Sequence, residues 1–249
     1  MSSPLVLLHG FTDTPRTWEL VRPALETEYQ VIAPALPGHL GGPPLDGVPT
    51  AQTLPDAVER AMDDAGIELA HLAGNSLGGY VALQLAERGR ALSVVALAPG
   101  GGWGTVAERD DTLDFFVALR SPTEHAARHA DRIASTRAGR RRATQFIVSE
   151  DVDLPEDLVA HQIRGAAACE ALPLIEVART GYPLDAARVT CPLRIVWGAD
   201  DRVLRWPAAA ERYRALFPNA DWVVLDGVGH CPQLDRPLET AQLILGFSA

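Results

Sequence analysis

Short apolar runs, closed by glycine, proline or small polar residues, alternate along this chain with stretches whose apolar positions recur every three to four residues. The runs are Leu5 to Leu8, Val31 to Ala35, Leu69 to Ala73, Ser93 to Ala98, Leu193 to Trp197 and Trp222 to Leu225. They are nearly continuous rather than alternating. That is the pattern of strands buried on both faces, with helices between them as the cover. The spacing predicts an α/β architecture around a mostly parallel sheet of about six strands. The helix between the second and third strands reads most clearly, because Leu54, Ala57, Val58, Ala61, Met62 and Ala65 share one face. Thr53 with Asp56 has the look of a capping box at its start, and Gly66 fits the position just past its end. Pro15 and Pro207 stand where first-turn prolines would open two further helices.

One interval breaks the alternation. From Gly104 to Ala187 the sequence is helical, charged and alanine-rich, with Phe115, Phe116 and Leu119 and then Phe146 and Ile147 as apolar stripes. The expected organisation is a core of residues 1–103 and 188–249, with residues 104–187 inserted as a helical cap over one edge of the sheet. No internal repeat or low-complexity tract is present.

Composition narrows the partners. The chain has 249 residues, 47% of them hydrophobic and 22% charged, in the range of ordinary globular domains. A net charge of −10 opposes nucleic acid and anionic membrane as partners, since both would be repelled at long range. The three cysteines form no CxxC pair and suit a reducing compartment. The first residues lack a basic segment, and no apolar run approaches membrane-spanning length, so a cytoplasmic location is expected.

The segment Gly74-Asn75-Ser76-Leu77-Gly78-Gly79 joins a predicted strand to a predicted helix and matches G-x-S-x-G. An abrupt strand-to-helix turn strains the serine backbone and lifts its hydroxyl clear of the sheet, which is what a nucleophile needs. Small residues two places before and after are required where the two arms nearly touch. Such a turn takes one oxyanion donor from the amide after the nucleophile, Leu77, and a second from the loop after the first strand. Phe11 in His9-Gly10-Phe11-Thr12 is the candidate, with Gly10 permitting close approach and His9 read as structural.

A serine hydroxyl becomes nucleophilic when a histidine removes its proton, and an acid orients that histidine. The expected chain order is serine, acid, histidine, each in a loop after a strand. Asp200 and Asp201 follow one late strand, and Gly229-His230 follows the last. His230 is the expected base, while Asp226 reads as a turn residue; spacing leaves Asp200 and Asp201 open as the acid. Among the other histidines His39, His71, His125, His129 and His161 read as solvated or structural.

Together these segments resemble the small, helically capped members of the α/β-hydrolase superfamily. The resemblance rests on His9-Gly10, Leu36-Pro37-Gly38-His39, the Ser76 turn, Trp197-Gly198-x-x-Asp201 and Gly229-His230. It implies Asp201 as the acid, three residues after the glycine, and pairs Asp235 and Pro237 with the histidine. Two departures stand out: many such relatives carry two strands ahead of the His-Gly strand, and the proline usually close behind the acid is displaced to Pro207. The implied enzyme is a serine hydrolase of small carboxylic esters, acting on a small-molecule substrate through an acyl-enzyme and needing no metal or organic cofactor. Carbon–carbon bond hydrolases and a menaquinone-pathway synthase share the same triad, and a ligand-binding sensor with little turnover is a further reading. Trp103, Phe115, Phe116, Phe146 and Tyr182 are candidates for the pocket under the cap. Arg137, Arg140, Arg141 and Arg142 read as a solvated helix face rather than a carboxylate site.

Overall fold

A computed structural model describes residues 2–149 and 151–248 of the chain. In order, the elements are β1 (Pro4–Leu8), a 3-10 turn (Pro15–Trp18), α1 (Arg22–Leu25), β2 (Gln30–Ile32), α2 (Thr53–Asp64), β3 (Ala70–Asn75), α3 (Leu77–Glu87) and β4 (Ala91–Leu97). Five helices follow: α4 (Val106–Ala127), α5 (Ala130–Ala134), α6 (Arg137–Thr144), α7 (Glu156–Ala167) and α8 (Pro173–Thr180). The chain then completes the sheet with β5 (Leu193–Gly198), α9 (Glu211–Leu216), β6 (Asp221–Leu225), α10 (Pro232–Asp235) and α11 (Pro237–Ser248).

The six strands pair in the order β2-β1-β3-β4-β5-β6, every pair parallel. Side chains alternate across a strand, so each nearly continuous apolar run feeds two cores at once. In β1, Val6 and Leu8 join the cluster built with Leu54, Val58 and Met62 of α2 and with α3. Leu5 and Leu7 join the opposite cluster with Trp18, Leu25 of α1, and Ala241 and Ile244 of α11. Those leucines are fully buried, each contributing about 1.5–3 kcal/mol relative to exposure. A third cluster lies in the insertion, where Ala130, Ala134, Leu158, Val159 and Ile163 meet Cys231 and Leu234 of the core.

Local details differ in places from the sequence expectation. The capping box at Thr53 does not form: Gln52 is the N-cap, and Thr53 Oγ1 instead accepts from the Thr50 amide at 2.9 Å in the preceding turn. A reciprocal capping box joins Thr105 and Glu108 at the head of α4. Gly66 does sit just past α2 at φ 70°, the left-handed conformation that favours glycine. Pro15 opens a 3-10 turn rather than an α-helix. Among the described residues, no helix is long and apolar enough to cross a membrane.

The topology places the site. β1 lies between β2 and β3, so the connections after β1 and β3 leave in opposite directions and open a crevice at the carboxyl ends of the strands. Ser76 follows β3, and His9-Gly10-Phe11 follows β1.

Candidate active site

Ser76 occupies the turn between β3 and α3 at φ 55° and ψ −117°. This is a left-handed conformation costing about 1–3 kcal/mol for a residue with a Cβ, held only where the surroundings over-determine it. The Ser76 amide donates to Leu97 O at 2.9 Å, and its carbonyl accepts from Gly100 N at 2.9 Å. The glycines are steric requirements: a Cβ on Gly74 would lie 2.3 Å from Gly78 O, and one on Gly78 would lie 2.2 Å from Leu8 O.

The loop after β6 brings His230 to the same crevice. Its Nδ1 lies 2.8 Å from Asp201 Oδ2, with both residues buried. A carboxylate on Nδ1 keeps the proton there and leaves Nε2 as the basic nitrogen. The other carboxylate oxygen, Oδ1, accepts from the Val203 and Leu204 amides at 2.8 Å each, which fixes the acid's orientation. Asp200 is exposed, as is Asp226. Among the described residues no hydrogen bond joins Ser76 to His230; such contacts often close only around substrate.

Sequence reasoning passed over the side chain that ties these loops together. Asn75, 1% exposed, donates through Nδ2 to His230 O at 2.9 Å and to Leu97 O at 3.2 Å. Its Oδ1 accepts from Gln233 Nε2 at 3.2 Å and Cys231 Sγ at 3.3 Å. Gln233 also donates to Thr17 at 3.0 Å. His230, Cys231 and Gln233 lie more than 150 positions away in sequence, so no local signal marks Asn75 beyond its place inside the motif. Burial pushes the Cys231 thiol well up, and the nearby Asp13, Asp201 and Asp235 carboxylates push it further. Asp235 accepts from Gly229 N at 2.7 Å and from Ser149 N and Oγ at 2.8 and 2.7 Å.

Two buried imidazoles support the first loop. His9 Nε2 accepts from the Leu36 amide at 3.0 Å, so Nδ1 carries the proton and donates to Gly10 O at 2.9 Å. Burial, with His39 beside it, lowers the His9 pKa to about 3. His39 packs edge-on at 5.0 Å between ring centroids, and burial lowers its pKa to about 4. His9 is thus neutral and structural. A Cβ on Gly10 would stand 3.4 Å from Ser76 Cβ, so this loop abuts the serine. Among the described residues neither the Phe11 nor the Leu77 amide has a hydrogen-bond acceptor.

Ser76, Leu77, Phe11, Trp103, Phe116, Tyr182 and Leu113 line a cavity of about 70 Å³ beneath α4 and α8. Phe115 and Phe146 are not among its lining residues; they pack edge-on against each other at 5.1 Å. Arg140 closes a two-pronged pair on Asp153 at 2.8 and 2.9 Å, away from this cavity. No group of three or more His, Cys, Asp or Glu among the described residues is arranged to hold a metal ion.

A strained serine above a sheet switch point, with a buried histidine–carboxylate pair on a loop bonded to its neighbour Asn75, has the arrangement of an α/β-hydrolase-type site. Residues 5–243 match the alpha/beta hydrolase family, and the chain belongs to it. An epoxide hydrolase, EphH, of Mycobacterium tuberculosis is 31% identical over 206 residues, covering 80% of this chain and 94% of the relative. A pimeloyl-acyl-carrier-protein methyl ester esterase of Aromatoleum aromaticum is 29% identical over 253 residues, 96% of each chain. Among solved structures, a membrane phospholipase A described as a bacterial virulence factor superposes with a TM-score of 0.77 at 25% identity, covering 99% of this chain and 78% of the other. The protein is an enzyme of the α/β-hydrolase class.

Proposed function

We propose that the protein hydrolyses a small carboxylic ester by acyl transfer through Ser76, with His230 as base and Asp201 as the acid that orients it. The observation that carries this reading is the buried His230–Asp201 pair at 2.8 Å in the crevice that also holds the strained Ser76. His230 Nε2 takes the Ser76 proton as Oγ bonds to the substrate carbonyl carbon, and the carbonyl electrons move to an oxyanion. The Phe11 and Leu77 amides hold that oxyanion. It collapses, the alcohol leaves with the proton from His230, and an acyl-serine remains. Water then attacks, gives its proton to His230, and the acid departs as Ser76 recovers it.

The similarity to an epoxide hydrolase needs a chemical test, since fold does not fix function. Attack by serine on an epoxide carbon would leave an ether on Ser76, which water does not cleave under mild conditions. Attack on an acyl carbon leaves an ester, which it does. A serine at this position therefore favours acyl substrates over epoxides. Hydrolysis of p-nitrophenyl esters of graded chain length, with Ser76→Ala alongside, tests the reading. Ser76-dependent release of p-nitrophenol is expected, and near-normal release by Ser76→Ala would refute the mechanism.

A further inference from the structure

The cavity at Ser76 is narrow and opens toward a larger space beside it. Its accessible volume of about 70 Å³ lies below the roughly 300–1,000 Å³ of a pocket that encloses a drug-sized ligand. A second cleft of about 910 Å³ lies against it. Thr50, Ala51, Trp103, Val177, Gly181 and Tyr182 line both. The Tyr182 ring, 4.8 Å from Tyr80 and 5.3 Å from Trp103, forms much of this common wall. A substrate whose carbonyl reaches Ser76 has the larger cleft as the adjoining space for its remaining atoms.

That cleft carries two guanidiniums with donors to spare. Arg212 donates to Gly101 O and Tyr182 O at 2.8 Å each and has no carboxylate within ion-pair distance among the described residues. A guanidinium has five N–H groups, so donors remain. Arg109 is bonded only through Nε, to Asp110 at 2.9 Å, which leaves its two terminal nitrogens unbonded among the described residues. Asp110 is shared, pairing with Arg109 at 2.9 Å and lying 3.6 Å from Arg179, which also pairs with Asp114 and with Glu176 at 3.5 Å. Glu176, the cleft's own carboxylate, is largely exposed. On a chain of net charge −10, two guanidiniums flanking one wall are a local exception.

We propose that the outer cleft binds an anionic group of the substrate, a carboxylate or a phosphate several bonds from the carbonyl that Ser76 attacks, through Arg212 and Arg109. Both guanidiniums present the planar donors that match such oxygens. The proposal rests on the acyl-transfer reading above, and the experiment separates the two. p-Nitrophenyl half-esters of dicarboxylic acids are compared with uncharged p-nitrophenyl alkanoates of equal chain length. A parallel series carrying a terminal phosphonate separates phosphate from carboxylate recognition. We expect kcat/KM to favour one anionic series by about tenfold at low salt. Arg212→Gln and Arg109→Gln should each lower that ratio several-fold, mainly through KM, and added salt should lower it too. Arg212 also holds two backbone carbonyls, so Arg109→Gln, which frees no backbone group, keeps the test readable should Arg212→Gln fail to fold. Ser76-dependent hydrolysis with no preference for either anionic series, or a preference that Arg109→Gln leaves untouched, overturns the anion site alone. Absence of Ser76-dependent hydrolysis for every ester overturns the acyl-transfer reading, and the site with it.

Discussion

The neutral imidazoles behind the first loop make the fold acid-sensitive in a calculable way. His9 and His39 have native pKa values of about 3 and about 4, lowered chiefly by burial, against about 6.5 in the unfolded chain. A folded pKa below the unfolded one means that the unfolded state takes up protons first. Stability is therefore complete above pH 6.5 and is lost as pH falls toward the native values. Between pH 7 and pH 5 an unfolded imidazole gains about 2 kcal/mol from protonation while the native one gains almost nothing, so the pair costs about 4 kcal/mol. That is a large part of a typical stability of about 5–15 kcal/mol. The figure barely depends on the exact native values, because both lie well below pH 5. Asp13 works in the opposite sense: burial raises its pKa to about 6, so its protonation in the same window favours the native state and offsets part of the loss. Comparison with His39→Gln removes that term and isolates one imidazole. Urea unfolding followed by tryptophan fluorescence at pH 7 and pH 5 should show the variant losing about 2 kcal/mol less than the wild type. Equal losses in the two proteins would mean that His39 is protonated in the native state, and the reasoning would fail.

Other outcomes follow from the site. Asp201→Asn should lower kcat on the order of 10³–10⁴-fold, while Asp200→Asn stays near wild type because Asp200 is exposed; the reverse order, read from initial rates on one ester, would reassign the acid. Asn75→Ala leaves the His230 carbonyl, Cys231 and Gln233 without this partner. It should cost about 1–3 kcal/mol by denaturant melt and lower kcat more than it raises KM; a pure KM effect would argue against positioning. Cys231 is 3% exposed, with its thiol pushed up, so a thiol reagent at pH 8 should modify native protein slowly at this position. Rapid labelling there, mapped by mass spectrometry, would contradict the buried geometry.

What was legible in the sequence was what is encoded locally. The six strands show because both faces are buried, and Ser76 shows because close approach fixes Gly74 and Gly78 around it. The choice between Asp200 and Asp201 did not follow from spacing, since neighbouring residues in a loop point in unrelated directions. In the fold, the amides of Val203 and Leu204 turn Asp201 inward. Asn75, Gln233 and Thr17 stayed invisible as a network because their partners are distant in sequence and polar pairing leaves no periodic trace. The aromatic pocket candidates of the insertion divide for a related reason: Phe116 and Tyr182 line the cavity, and Phe115 and Phe146 do not. Phe115 and Phe116 are adjacent, so their side chains leave the helix about 100° apart, and only Phe116 reaches the cavity.

The insertion is bonded to the loops that carry His230 and Asp201 and to the loop after β1. The Cys231 amide donates to Ile147 O at 2.8 Å, and the Asp235 carboxylate receives both donors of Ser149, so the segment after α6 holds the His230 loop from two sides. Arg202, next to Asp201, donates to Gln145 O at 2.9 Å. His161 of α7 meets Thr14 at 3.0 Å, and Arg16 pairs with Asp157 at 2.7 Å, which ties the same helix to the loop after β1. Displacing this arc as a lid would move the histidine, the acid and the oxyanion loop together, and misplacement by about 1 Å can cost on the order of a hundredfold in rate. The arc is better understood as scaffolding that the core lacks on that side. The cavity itself is lined by α4 and α8, which are joined to each other through Arg179, and α4 also meets the loop after β1, where Phe116 packs edge-on against Phe11 at 5.2 Å. The larger cleft lies on that side too, lined by Arg109 of α4 and by Pro173 and Val177 of α8. Support for the loops of the chemistry and the wall of the substrate space thus draw on different helices of one insertion.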